Sequence, residues 1–233
     1  MPDDEGFKRA AAERAVEQVE SGMRLGLGTG STVAHFLEFL AARIRAGTVT
    51  GLVAVPTSVR TEERARELGI PLAELDEAAP LDLTVDGADE VDPGLDLIKG
   101  LGGALLREKM VAQASRRLVI MVDDSKEVRR LGTLVPLPVE VTRFGWRAQL
   151  TFLRQIGGEP ALRSGEGGSP FLTDNGNHML DCRFAGGLDD PEAVEDALRR
   201  RAGVVESGLF LGIATAVVVA GAGGVRVLER GGA

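Results

Sequence analysis

The chain is poor in the residues that make disulfides, bind transition metals and hold polyanions. Its single cysteine, Cys182, cannot form an internal disulfide, and no charged-then-apolar leader opens the sequence, so it reads as cytoplasmic. Its two histidines, His35 and His178, lie far apart with no companion cysteines. A dedicated metal site is therefore not expected, and each histidine reads as structural or surface. No run of lysine or arginine forms a basic stripe, and the formal net charge is -8, which argues against nucleic acid as a partner. The most apolar run, residues 209–222, is shorter than a membrane span and is broken by Gly212 and Gly221.

What is present is enough for a large core: 233 residues, 44% of them hydrophobic, suit one large domain or one domain carrying a smaller insertion. The densest chemistry lies in residues 81–113. Residues 81–85 alternate apolar and polar types, which predicts a strand that delivers Asp86 to its carboxyl end, followed by the turn Asp86-Gly87-Ala88-Asp89. Gly100-Leu101-Gly102-Gly103 offers backbone for close approach to a ligand, ahead of a helix starting near Ala104. Glu108 lies on that helix. Its neighbours three and four residues away are Ala104, Leu105, Val111 and Ala112, so a carboxylate interrupts an apolar stripe. A solvated glutamate paired with Lys109 or Arg107 is the plain alternative. The nearby Asp86, Asp89 and Lys99 favour a partly desolvated general base.

Elsewhere, residues 7–19 have helical apolar spacing, with Lys8 expected to face solvent in the first turn. A strand at 23–27 runs into GLGTGST at 26–32 and a helix at 33–44, a phosphate-binding order in which glycines bare the amides and Ser31 and Thr32 add hydroxyls. It lacks a P-loop lysine, Ser31 stands where a third dinucleotide glycine would, and residues 46–56 hold no ribose-binding acid. A dinucleotide is disfavoured. Strands at 51–55 and 117–122 end in Thr57-Ser58 and Asp123-Asp124-Ser125-Lys126, so four strands end in polar loops that an open parallel sheet gathers on one edge. Residues 137–141, 159–163, 171–173, 178–184 and 204–206 read as strands, with helices at 147–155 and 191–201. That order predicts a split βαβ layout. Phe144 and Trp146 read as packing there, and Asp174, Asp181, Asp189 and Asp190 as turn and surface acids. The expected fold is α/β: a Rossmann-like open parallel sheet domain (1–132 plus 207–233) with an inserted smaller α+β, ferredoxin-like domain (133–206).

Six motifs then occur in order: GLGTGST at 26–32, DGADE at 86–90, IKGLGGALLREK at 98–109, DDSK at 123–126, PLPVEV at 136–141 and TDNGN at 173–177. Together they resemble the ribose-5-phosphate isomerase A family. The resemblance implies interconversion of D-ribose 5-phosphate and D-ribulose 5-phosphate in the non-oxidative pentose phosphate branch, without cofactor or metal, by a homodimer or larger homo-oligomer. It makes Glu108 the proton acceptor, with Asp86, Asp89 and Lys99 around the reacting carbons. Implied substrate contacts are Thr29, Gly30, Ser31 and Thr32; Asp86, Gly87, Ala88 and Asp89; Lys99, Gly100, Leu101 and Gly102; and Lys126, with Lys8 near the phosphate. Leu101 stands where many relatives carry a glycine. Two other classes answer to parts of the pattern: a CoA transferase-like enzyme with Glu108 as nucleophile, and a non-catalytic sugar-phosphate-binding module.

Overall fold

The computed structural model describes residues 4–231. In chain order the elements are α1 (Asp4–Val16), β1 (Arg24–Leu27), α2 (Ser31–Arg45), β2 (Val53–Pro56), α3 (Val59–Glu67), α4 (Leu75–Ala78), β3 (Leu83–Gly87), β4 (Glu90–Val91) and β5 (Leu97–Ile98). Then come α5 (Leu105–Gln113), β6 (Leu118–Asp123), β7 (Leu137–Val141), α6 (Trp146–Gln155), β8 (Gly158–Leu162), β9 (His178–Phe184), α7 (Pro191–Arg199), β10 (Val204–Ser207), β11 (Leu209–Phe210), β12 (Ala216–Gly221) and β13 (Gly224–Glu229). Two compact units result: Met1–Ala88, Arg107–Lys126 and Ile213–Ala233 form one, Asp89–Leu106 and Glu127–Gly212 the other. Among the described residues no helix is long and apolar enough to cross a membrane.

The first unit is built on a six-stranded sheet in the order β13-β12-β6-β3-β1-β2. Every neighbouring pair is parallel except the β12–β13 hairpin. β6 reads LVIMVD and is buried at every position, as a central parallel strand covered on both faces must be. One core joins Ala11 and Ala15 of α1 and Phe36 and Leu40 of α2 to Leu25, Leu27, Val85, Val119 and Val218 of the strands. Each such Leu or Phe contributes about 1.5–3 kcal/mol by leaving water. Because β1, β2, β3 and β6 run the same way, the expected gathering of their carboxyl ends occurs, and β12 returns the chain to this sheet as expected.

In the second unit β7, β8, β9 and β10 form an antiparallel sheet in the order β10-β7-β9-β8, crossed over by α6 and α7, which is the split βαβ arrangement. Leu137, Val139, Val141, Leu153, Leu180, Cys182 and Leu198 fill its core. Burial pushes the Cys182 thiol up to about 12. Asp190 caps α7, its side chain accepting from the Ala193 N–H, with Pro191 in the first turn. This unit is larger than the expected insertion. It takes in residues 89–106 because β5 pairs with both β4 and β11, and it begins at 127 because Val128 donates to the Val91 carbonyl.

Several finer expectations are corrected. Phe144 is 95% exposed and packs nothing, whereas Trp146 joins the core edge and meets His178 edge-on at 6.0 Å. Asp181 is a β9 residue paired with Arg163, not a turn acid. Residues 171–173 form one isolated bridge, Leu172 with His178, because Pro170 and the turn that follows leave too few ladder partners. The helix expected to reach 201 ends at Arg199.

Candidate active site

Small residues let β1 come close to β3 at the carboxyl edge of the first unit's sheet. A Cβ at Gly28 would overlap the Asp86 carboxylate, so only glycine fits beside it. Asp86, 1% exposed, accepts from the N–H of Thr29 at 3.1 Å and of Gly87 at 2.7 Å through Oδ1. Backbone amides thus fix its orientation. The Thr29 hydroxyl turns inward, to Thr57 Oγ1 and Ser58 Oγ at 2.8 Å and Thr61 Oγ1 at 3.1 Å. Thr61 Oγ1 in turn donates to the Gly28 carbonyl at 2.9 Å. The outward face of the loop is therefore left to Gly30, Ser31 and Thr32. Gly30 has φ 132°, a backbone state reserved for glycine, and it opens α2 with no side-chain cap and no acid in the first turn. Such a bare helix start attracts an anion.

Glu108 occupies the first turn of α5 and is 4% exposed. A solvent-facing side chain is thereby excluded. Its neighbour Lys109 is also buried, at 3%, which the apolar periodicity did not announce. Lys126 follows the β6 end in a 3-10 turn and is half-buried; the Asp123 carboxylate is already engaged by the backbone and hydroxyl of Ser125. Lys8 on α1 bonds Glu5 at 3.1 Å, and its side chain is 15% exposed, so it does not stand out in solvent as expected. His35, then Lys8, hold the Glu5 carboxyl below its ordinary range.

The second unit carries the remaining candidates. Asp89 donates its N–H to the Ile98 carbonyl at 2.8 Å and accepts the Leu101 N–H on Oδ2 at 3.0 Å. Lys99 is 2% exposed, with its Nζ 5.4 Å from the centroid of the Phe210 ring. Its N–H donates to the Gly208 carbonyl at 2.9 Å, and a side chain at Gly208 would collide with the Lys99 carbonyl. Gly100 and Gly103 have φ 105° and 84°, whereas Leu95 is the one described non-glycine residue with positive φ. Leu101 therefore sits in ordinary backbone, 40% exposed, and the turn accepts it without strain. Glu90 is structural: both its oxygens accept backbone N–H groups, from Gly132 at 2.5 Å, Leu134 at 2.6 Å and Val135 at 2.8 Å.

Sequence reasoning assigned no role to Thr61, Gly208 or Phe210. Only Ser58, spaced three before Thr61 at a helix start, carried a readable signal, that of a cap, and Ser58 does accept the Thr61 N–H. Chemically, the first unit offers a buried carboxylate, an oriented aspartate and a bare helix start. The second offers a lysine, an aspartate and a glycine turn. Among the described residues no group of three or more His, Cys, Asp or Glu side chains could hold a metal.

Comparison with known proteins agrees with the motif order. The family model described as ribose 5-phosphate isomerase A (phosphoriboisomerase A) matches residues 53–224. A ribose-5-phosphate isomerase A of Roseiflexus castenholzii is 54% identical over 227 residues, 97% of each chain. One from Chloroflexus aurantiacus is 55% identical over 219 residues, 94% of this chain and 91% of that one. Among solved structures, a D-ribose-5-phosphate isomerase in complex with phospho-erythronic acid superposes with TM-score 0.95 at 40% identity, covering 98% of this chain and 100% of the other. The ribose 5-phosphate isomerase A of Methanocaldococcus jannaschii gives 0.92 at 39% identity, covering 97% and 100%.

Proposed function

Because the chain belongs to the ribose-5-phosphate isomerase A family, we propose that it interconverts D-ribose 5-phosphate and D-ribulose 5-phosphate through an enediolate, with Glu108 as the general base. The isomerase assignment rests on the family. The base assignment is carried by one observation: Glu108 is a buried carboxylate in the first turn of α5.

In the aldose-to-ketose direction Glu108 takes the proton from C2, the electron pair moves into the C1–C2 bond, and negative charge collects on oxygen. Moving the hydroxyl proton from O2 to O1 and returning the carbon-bound proton to C1 completes the isomerisation with no net change in composition. A carboxylate withdrawn from water is the stronger base, because water no longer stabilises its charged form. The Lys99 ammonium stabilises the charge on oxygen, and the proposal assigns Asp86 and Asp89 to ring opening and hydroxyl proton transfer. Gly30, Ser31 and Thr32 at the start of α2, with Lys126 and Lys8, hold the phosphate. Asp86, Gly87, Ala88 and Asp89, and Lys99, Gly100, Leu101 and Gly102, complete the substrate contacts, with Thr29 fixing the phosphate loop. The proposal includes a homodimer or larger homo-oligomer; sedimentation equilibrium giving only the 24.5 kDa chain mass would refute that part.

Incubation with ribose 5-phosphate in deuterated water, in the presence of a chelator, tests the chemistry. Deuterium should enter the sugar at C1 or C2 as ribulose 5-phosphate forms. Isomerisation with no label even after prolonged equilibration through many reversible turnovers points to direct hydride transfer and removes the enediolate. Loss of turnover with chelator removes the metal-free reading.

A further inference from the structure

The second unit holds an arginine with a specialised set of partners. Arg163 follows β8, and its side chain is 12% exposed. Its Nε donates to Asp181 Oδ2 at 2.9 Å, and Nη2 donates to Asp181 Oδ1, so β9 grips the guanidinium in bidentate fashion. Nη1 then donates to two consecutive carbonyls, those of Gly100 at 3.0 Å and Leu101 at 2.9 Å. Phe171 closes the arrangement from a second side. Its ring centroid lies 5.6 Å from the guanidinium carbon, and a Cβ at Gly103 would meet its Cζ at 2.5 Å.

Peptide planarity gives these two carbonyl bonds a consequence. In a trans peptide the C=O and the following N–H point in opposite directions. Holding the Gly100 carbonyl fixes the Leu101 N–H, which donates to Asp89. Holding the Leu101 carbonyl in the same way fixes the Gly102 N–H, and among the described residues no acceptor within the protein takes that amide. The Gly103 N–H, donating to the Gly100 carbonyl at 3.0 Å, and Asp89 already hold the start of this turn, so what Arg163 adds is its grip on the Leu101 carbonyl, which orders the exposed peptide between Leu101 and Gly102.

We infer that Arg163, anchored by Asp181, is a positioning residue that aims the Gly102 N–H at the substrate oxygen where charge develops. This rests on the reading of residues 99–102 as substrate contacts. A planar fork can hold a carboxylate in bidentate fashion and reach two carbonyls from a third nitrogen, whereas the three donors of lysine all radiate from one nitrogen and cannot reproduce that spread. Loss of one oxyanion donor typically costs about 10²–10³ in turnover. A donor left in place but no longer aimed should cost less.

The test is steady-state kinetics of Arg163→Met, Arg163→Lys and Asp181→Asn against the parent enzyme, with binding of phospho-erythronic acid and of inorganic phosphate. Arg163→Met should lower kcat roughly 10- to 100-fold while KM moves by less than about 3-fold. Arg163→Lys should restore little of this, and Asp181→Asn, which keeps the shape of the pair, should lower kcat by a smaller factor. Affinity for phospho-erythronic acid should fall in Arg163→Met, and affinity for inorganic phosphate should hold. Near-parental kcat in either arginine variant overturns the inference, as does a loss confined to KM. If Arg163→Met fails to fold, the other two variants decide on the same criteria. An inactive parent enzyme would instead sink the isomerase reading itself.

Discussion

The two units each bury a carboxylate at a strand, but they use it differently. In the first, Asp86 sits at the end of a parallel strand and takes its hydrogen bonds from backbone amides of adjoining loops. In the second, Glu140 sits within antiparallel β7 with no exposure, and its Oε1 accepts from the side chains of Thr173, Asn175 and Asn177 at 2.9, 3.2 and 2.9 Å. A parallel sheet gathers strand ends on one edge and so exposes a collected set of polar loops. An antiparallel sheet sends successive strand ends to opposite edges. Glu140 accordingly fastens one turn and serves stability, whereas Asp86 orients the loop that the proposed function assigns to the phosphate.

Three substitutions sharpen or break that contrast. The largest effect belongs to the first unit: Glu108→Gln keeps the shape but removes the basic oxygen, so kcat should drop by about 10²–10⁴ with the melting temperature nearly unchanged. Near-normal turnover would remove Glu108 from the mechanism. Next comes Glu140→Ala, which leaves the buried Thr173 hydroxyl and the more exposed Asn175 and Asn177 amides without their shared acceptor and should cost about 1.5–3 kcal/mol in denaturant unfolding, while the folded fraction keeps its kcat. A kcat loss without a stability loss would make Glu140 a participant in turnover. The smallest is Lys126→Ala, expected to weaken sugar-phosphate affinity roughly 10- to 100-fold, the scale of one lost charged hydrogen bond. Affinity for the unphosphorylated sugar should stay put. Equal losses for both ligands would take Lys126 off the phosphate.

Much of this architecture was legible in the chain because its signals are local. The continuous apolar run of β6 and the glycine loop before α2 each announce their own element. The burial of Glu108 was legible too, since a carboxylate on an apolar stripe is an anomaly that one helix shows by itself. What stayed hidden depends on residues distant in sequence. Arg163 reaches residues 100 and 101, 63 and 62 positions away, and nothing in a lone arginine after a strand names those carbonyls. The Thr29 knot joins partners 28 to 32 positions apart. Residues 89–106 joined the second unit through two-residue strands, which are too short to leave any periodicity.

The hydroxyl knot of Thr29, Thr57, Ser58 and Thr61 has a bearing on how a ligand arrives. Four short side chains and the Gly28 carbonyl satisfy one another inside the protein. The loop therefore takes its shape before any ligand is present, and, if it receives the phosphate as proposed, little ordering cost remains to be met at association. Its amides should exchange slowly with solvent in the empty enzyme, and encounter should resemble docking on a finished surface more than the closing of a flap.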